Sequence, residues 1–475
     1  MHVEVISTED LGDRSYLVHD GTSAVVVDPQ RDVDRVEKML ADLGVRCAMV
    51  VETHIHNDYV TGGYDLAMRN GCPYVVNAAD DVSFARLAVS DGDELTVGAM
   101  TIRVMATPGH TDTHLSYVIS EGDQIPAVFT GGSLLYGSVG RTDLVDVDRT
   151  EELTRAQYHS ARRLAAELPD AAPVYPTHGF GSFCSSGSAT GGDGGTIGEE
   201  KGRNDALVTE DEDAFVETLI ANLTAYPAYY AHMGRLNRSG PAAPDLSPPT
   251  PLQAEQLRTR IAAGEWVVDL RDRTAYAASH VHGSVGIALG QQFSTYLGWL
   301  MPWGTPLTLI GESAEQVADA QRMLVRIGVD ELQGSATGSA QELSAGLPPS
   351  SYPRRTFAEL PGDAVLLDVR RDDEHATDHI PGAAHVPMHH LLDKLDTLPP
   401  GQLWVHCASG YRASIAASLL DRAGRDVVFI DDDFDSAVNL GLTTKRNAPH
   451  PLNAPPHVPR TTPTIGIDGP TKGTP

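Results

Sequence analysis

The side chains best equipped for chemistry lie in Glu52-Thr53-His54-Ile55-His56-Asn57-Asp58-Tyr59, with two imidazoles two apart and a carboxylate two further on. The apolar run Ala48-Met49-Val50-Val51 precedes them and reads as a buried strand. The cluster therefore sits at a strand's C-terminal end, where open α/β architectures place their chemistry. His54, His56 and Asp58 within five residues make a set of metal ligands. A lone His-x-His could equally be a polar turn. Against that reading stand His110 in Thr107-Pro108-Gly109-His110-Thr111 and His178 in Tyr175-Pro176-Thr177-His178-Gly179, each after an apolar run and at the start of a tight turn.

A second chemistry is spelled by Cys407-Ala408-Ser409-Gly410-Tyr411-Arg412, between the apolar run Leu403-Trp404-Val405-His406 and a helical stretch from Ala413. Backbone amides of such a loop converge inward, and the following helix points its positive end at them. A thiol there is expected to have a lowered pKa, and its thiolate is the nucleophile. Arg412 closes the loop and can pair with an anionic substrate group. The alternative, a structural cysteine at a strand end, does not account for the Gly and Arg spacing.

The elements that must hold these groups need more than one core, because 475 residues suggest about three domains. Hydrophobic content of 41% with 21% charged residues is that of an ordinary globular chain. A net charge of −29 argues against nucleic-acid and anionic-membrane partners. No apolar run reaches the roughly 20 residues of a transmembrane helix, and Met1-His2-Val3-Glu4-Val5 lacks the basic start of a signal peptide. A cytoplasmic location is the expectation, with Cys47, Cys72, Cys184 and Cys407 as thiols, since they form no disulfide framework or Cys-x-x-Cys site.

Residues 1–240 read as one unit of two β-rich layers with flanking helices. Strand-like runs fall at 15–18, 24–27, 95–104, 116–119 and 127–129, with helices over 33–43, 64–69 and 213–223. Residues 185–205, rich in Gly and Ser, read as a surface loop. Ser239 to Pro251 is a stiff, Pro-rich linker. Beyond it lies an internal repeat. Val267-Val268-Asp269-Leu270-Arg271 matches Leu366-Leu367-Asp368-Val369-Arg370, and eleven residues after each aspartate His280-Val281-His282-Gly283 matches His379-Ile380-Pro381-Gly382. Each copy reads as a doubly wound parallel α/β domain, over 252–345 and 352–443. A Pro- and Thr-rich tail, 444–475, is expected to be extended and poorly cored.

The Asp-x-Arg, His-Ile-Pro-Gly and Cys-x-x-Gly-x-Arg elements of the second copy resemble the rhodanese family of sulfurtransferases. The resemblance implies that Cys407 accepts a sulfane sulfur as a persulfide, held by Ser409, Gly410 and Tyr411 and paired by Arg412. Cysteine phosphatases have a longer loop than the four residues between Cys407 and Arg412. The first copy carries Ile310-Gly311-Glu312-Ser313 where the cysteine would stand, and resembles a silent rhodanese copy with a packing or docking role.

Residues 1–240 resemble the metallo-β-lactamase superfamily, an αββα sandwich, and within it the persulfide dioxygenases. The resemblance rests on Thr53-His54-Ile55-His56-Asn57-Asp58, Thr107-Pro108-Gly109-His110-Thr111, Phe129-Thr130-Gly131, Gly140-Arg141-Thr142-Asp143 and Tyr175-Pro176-Thr177-His178. It implies one metal ion, iron(II) with zinc(II) as the alternative, at His54 and His110, with His56, Asp58 and His178 as further candidates. It also implies a small thiol persulfide as substrate, with sulfite or thiosulfate as product. Arg141 is the candidate for orienting the substrate. Cys184, six residues past His178, is either a persulfide relay or a small buried residue. The chain departs from the family twice. Tyr59 stands where a histidine is usual, and Gly132 where a metal-binding aspartate follows Phe-Thr-Gly. A two-metal hydrolase would lack both groups; a one-metal site, or a domain without metal chemistry, remain the alternatives. A homo-oligomer is compatible with the sequence.

Overall fold

The computed structural model describes residues 1–186 and 194–444. The Gly-rich part of the expected 185–205 loop and nearly all of the 444–475 tail lie outside the described residues. The remainder of that loop is corrected. Ile197–Arg203 and Asp205–Val208 are helices, the first started by a capping box in which Thr196 accepts from the Glu199 amide and Glu199 reaches back. The Gly and Ser composition upstream masked this start signal.

Two sheets face each other in the N-terminal unit. One runs His2–Thr8, Asp13–His19, Ser23–Val27, Arg46–Val51, Tyr74–Asn77, Leu87–Val89 in spatial order. The other runs Val174–Pro176, Ala127–Gly131, Leu115–Glu121, Met100–Ala106, Glu94–Val97. Alternate residues of both, among them Val25, Val51, Ile102, Tyr117 and Phe129, form the layer between them. Helices Asp34–Leu43 and Gly63–Asn70 cover one outer face, through Val36, Leu40 and Leu66. Thr150–Glu167 and Glu212–Ala221 cover the other, through Leu164 and Phe215. This is the αββα sandwich.

The repeat is visible atom by atom. Trp266–Asp269, Leu307–Gly311, Leu332–Thr337 and Val285–Gly286 make one parallel sheet; Val365–Asp368, Leu403–His406, Val427–Ile430, Arg354–Arg355 and Ala384–His385 make the other. In each copy the Asp-x-Arg arginine donates to its own aspartate and to a carbonyl eight residues on: Arg271 to Asp269 and Ser279, Arg370 to Asp368 and Asp378. His280 and His379 each place Nδ1 against the carbonyl four residues back, on Tyr276 and His375.

The first copy is wedged between its neighbours. Arg326 donates from Nη2 and Nε to Asp32 (2.7 and 3.2 Å) and from Nη1 to Asp10 of the N-terminal unit. On its other side His280 Nε2 lies 3.0 Å from Asp421, and Tyr411 of the second copy donates to the Ala288 carbonyl (2.7 Å). A single buried apolar cluster runs from Tyr59 and Tyr229 through Leu297 and Leu324 to Ile415 and Leu419. Ser313, in the first copy's loop, caps the helix Ala314–Arg326 by accepting from the Gln316 amide. Among the described residues no helix is long and apolar enough to cross a membrane.

Candidate functional site

The strand Arg46–Val51 delivers its histidine loop to a buried aspartate at the end of the neighbouring strand. Asp28, held at φ 50°, accepts from the Thr53 amide (2.7 Å), the Thr53 hydroxyl (2.7 Å) and the Thr177 hydroxyl. Burial pushes its carboxyl up, but His56 and these donors outweigh that and hold it at about 2. One carboxylate thereby joins the His54 loop to the His178 loop.

Three histidines are anchored alike. His54 Nδ1 lies 2.9 Å from Thr53 Oγ1, whose own proton goes to Asp28. His110 Nδ1 lies 2.7 Å from the Arg141 carbonyl. His178 Nδ1 lies 2.9 Å from Asp13 Oδ1 and 3.1 Å from Asp58 Oδ2. With Nδ1 occupied in each ring, Nε2 is the atom left for a metal, the usual arrangement of histidine ligands. The Nε2 atoms of His54 and His178 are 3.4 Å apart, and two ligands of a tetrahedral ion at about 2.05 Å would be ~3.4 Å apart. Burial, reinforced by the neighbouring rings, holds His54 well below its ordinary value and His110 at about 3, so both are neutral and able to bind metal. Burial also disfavours a charged His178, yet Asp58 and Asp13 raise it well above its ordinary value. A metal ion there competes with a proton.

The residues fit one metal ion. His178 belongs to three groups of closely spaced donors: with His54 and His56, with His110 and Cys184, and with Asp13 and Asp58. Asp58 Oδ1 and His56 Nδ1 are buried without a hydrogen-bond partner among the described residues, polar atoms that a bound ion would satisfy. His56 points its Nε2 away, to the Tyr59 hydroxyl (3.0 Å), Glu52 (3.2 Å) and Asp28 (3.3 Å). Burial disfavours its charge, but Asp28 and Glu52 raise it to about 9. Tyr59 thus fills the usual histidine's place with a hydrogen bond. At Gly132 a side chain is excluded: a Cβ would stand 2.3 Å from His110 Cδ2 and 2.5 Å from Cγ.

Sequence reasoning did not assign Asp13, Asp28, Glu52 or His114. Asp28 carried a signal, an acid ending the apolar run 24–27, and His114 another, four residues past His110. His114 lies under the site, accepting from the Gly132 amide (3.0 Å) and contacting Thr107 and Ser133 hydroxyls. Asp13 carried none.

Arg141, the candidate for orienting the substrate, is engaged within the protein. It is 1% exposed, and its guanidinium donates to both Asp143 oxygens (2.7 and 2.8 Å) and to the Phe183 and Thr224 carbonyls. Its amide donates to the Cys184 carbonyl (2.8 Å). Its role is to pin the segment that carries Cys184. That cysteine is fully buried beside His110 and His178, and burial and the Asp58 charge push its thiol up.

At the other centre, Cys407 is buried between the strand Leu403–His406 and the helix Tyr411–Arg422. Gly410, at φ 87°, turns the loop where a Cβ would meet Asp431 Oδ1 at 2.6 Å. Both Arg412 Nη atoms donate to the Glu374 carboxylate, so an anion at the loop would share the guanidinium with that charge. Ser409, Tyr411 and Arg412 line a cavity of about 710 Å³ whose other walls include Phe183 and Thr224 of the N-terminal unit and Tyr296 of the first copy. A smaller cavity of about 110 Å³ reaches Asp58 at the histidine site. The two share Gly181, Phe183 and Gln292.

Residues 11–178 match the metallo-beta-lactamase superfamily and residues 356–439 the rhodanese-like domain. The human mitochondrial persulfide dioxygenase ETHE1 is 30% identical over 203 residues, 42% of this chain and 73% of that protein. A hydroxyacylglutathione hydrolase of Cupriavidus metallidurans is 34% identical over 174 residues, 35% of this chain and 62% of that protein. The crystal structure of a metallo-beta-lactamase from Staphylococcus aureus superposes with a TM-score of 0.63 at 26% identity, covering 71% of this chain and 99% of that one. The chain belongs to the metallo-β-lactamase superfamily, as a homologue of the ETHE1 persulfide dioxygenases that carries a rhodanese-like domain.

Proposed function

We propose that the protein oxidises the sulfane sulfur of a small thiol persulfide, such as that of glutathione, at the histidine site, and moves sulfane sulfur through Cys407. The overall oxidation is R–S–SH + O₂ + H₂O → R–SH + SO₃²⁻ + 2 H⁺. A Cys407 persulfide attacked by that sulfite gives thiosulfate and returns the Cys407 thiolate. One observation carries the coupling: the histidine site and the Cys407 loop open on adjoining cavities with three residues in common. His54 and His178, whose Nε2 atoms are 3.4 Å apart, are the residues that would hold one iron(II), with His110, grouped with His178 and Cys184, as the further candidate. When bound, the iron supplies dioxygen activation and a seat for the persulfide sulfur. Asp13, Asp28 and Thr53 fix the histidine rings, while Phe183, Tyr229 and Tyr230 wall the approach against bulk water.

A hydrolase of thioesters, as the hydroxyacylglutathione hydrolase relatives suggest, calls for two metals, and Tyr59 and Gly132 supply no ligands for a second. Elemental analysis of protein purified without oxygen separates the readings. About one iron per chain with oxygen uptake on glutathione persulfide is expected, and an iron-loaded protein that consumes no oxygen overturns the oxidation. Cys407→Ser is expected to abolish thiosulfate-to-acceptor transfer with metal content unchanged; retained transfer would assign the carrier elsewhere, to Cys184.

A further inference from the structure

Two thiols outside both centres lie side by side. Cys47 Sγ and Cys72 Sγ are 3.8 Å apart, at the ends of the parallel neighbours Arg46–Val51 and Tyr74–Asn77 that lie opposite the histidine loop. The helix Gly63–Asn70 joins the two strands, and Gly71, at φ 61°, ends it so that Cys72 enters the sheet edge with its amide on the Ala67 carbonyl. The partners are unequal. Cys47 is 1% exposed, whereas Cys72 is half-buried and reachable. The Cys47 hydrogen bond, with Arg46 nearby, lowers the Cys72 thiol, while the same contact and burial raise Cys47. An accessible nucleophilic thiol backed by a buried second thiol is the arrangement of an attacking and a resolving cysteine.

We propose that Cys72 and Cys47 are a second sulfane-sulfur acceptor site, taking low-molecular-weight persulfides. The Cys72 thiolate attacks the outer sulfur of R–S–SH, forming Cys72–S–SH, and the R–S⁻ thiolate leaves. Cys47 then attacks the Cys72 sulfur, losing its proton to the departing sulfide. The Cys72 S–SH bond breaks, a Cys47–Cys72 disulfide forms, and the sulfide, now carrying both protons, leaves as H₂S. The two thiols give up two electrons, and the sulfane sulfur takes them. The oxidant is of the same substrate class as in the proposed function, but the step needs neither metal nor dioxygen. The bond would close residues 47–72 into a loop containing His54, His56 and Asp58.

The test is peptide mass mapping of the reduced full-length protein, treated under argon with glutathione persulfide and then alkylated. The expected result is a cross-linked pair of Cys47 and Cys72 peptides lacking two hydrogens, reversed by dithiothreitol. Cys47→Ser should stop the reaction at a Cys72 peptide heavier by one sulfur atom, and Cys72→Ser should leave Cys47 fully alkylated. Wild-type protein in which Cys407 gains sulfur while Cys72 stays unmodified overturns the proposal, and so does Cys47 reacting in Cys72→Ser. Failure of the dioxygenase reading would appear in oxygen uptake and leave this map unchanged.

Discussion

Gly132 offers the sharpest test of the histidine site, because the packing there explains why no carboxylate stands beside the metal position. A Cβ at 132 would lie 2.3–2.9 Å from three atoms of the His110 ring, where carbon contacts settle at about 3.5–4.0 Å. The ring has nowhere to retreat. It is 1% exposed, Nδ1 is tied to the Arg141 carbonyl at 2.7 Å, and Gly140 packs on it closely enough that a Cβ there would also collide. Gly132→Ala should cost about 1–3 kcal/mol of overpacking. Displacing the His110–Arg141 bond adds roughly 0.5–1.5 kcal/mol, so about 1.5–4.5 kcal/mol in all. The readouts are the midpoint of the first unfolding transition and metal bound per chain, with Gly202→Ala, which has no neighbour within 4 Å, as control. Gly132→Asp should also lose metal, although it adds a carboxylate, because it moves the His110 ring to make room. An unchanged midpoint and metal content in Gly132→Ala, or a second metal gained by Gly132→Asp, would refute this account.

Arg326→Met should destabilise the protein by about 3–5 kcal/mol, since it leaves Asp10 and part of Asp32 buried without their cation; calorimetry checks this. Burial raises the Asp32 carboxyl, but Arg326 and Arg35 outweigh it and lower it, so its contribution is present above about pH 4 and is lost as pH falls through the lower folded value. Wild type should therefore lose more stability than Arg326→Met on acidification. Glu374→Gln takes the competing charge from Arg412, so KM for thiosulfate should fall by roughly threefold to tenfold with kcat retained; a rise in KM would show that Glu374 positions Arg412 for the substrate. Tyr59→Phe removes the hydroxyl from His56 Nε2 and should cost about 1 kcal/mol, read by denaturant unfolding, without abolishing metal binding.

What the sequence disclosed and what it hid divide along physical lines. His54, His110 and His178 were legible because each ends an apolar run, and a buried strand end fixes the place of the residues after it. The repeat was legible because Asp-x-Arg and the histidine eleven residues on are local devices, closed within one loop. Partners supplied from afar were not. Asp13 orients His178 across 165 positions of chain, and Glu374 meets Arg412 across 38. The helix Thr150–Glu167 escaped the periodicity because its buried stripe includes Thr154, Gln157 and Ser160. Those polar groups are buried for the sake of the site: Gln157 donates to the Ser133 carbonyl (2.6 Å) and Ser160 to the Pro108 carbonyl (2.7 Å), fixing the turns on either side of His110. A helix that serves the site with hydrogen bonds forfeits the apolar stripe by which a sequence announces it. The same trade accounts for Tyr59 and Gly132. Each gives up a metal ligand, and each is locked in place, Tyr59 by His56 and Gly132 by the His110 ring. Their neighbours are packed around both residues, so a ligand side chain at either place would require those neighbours to move.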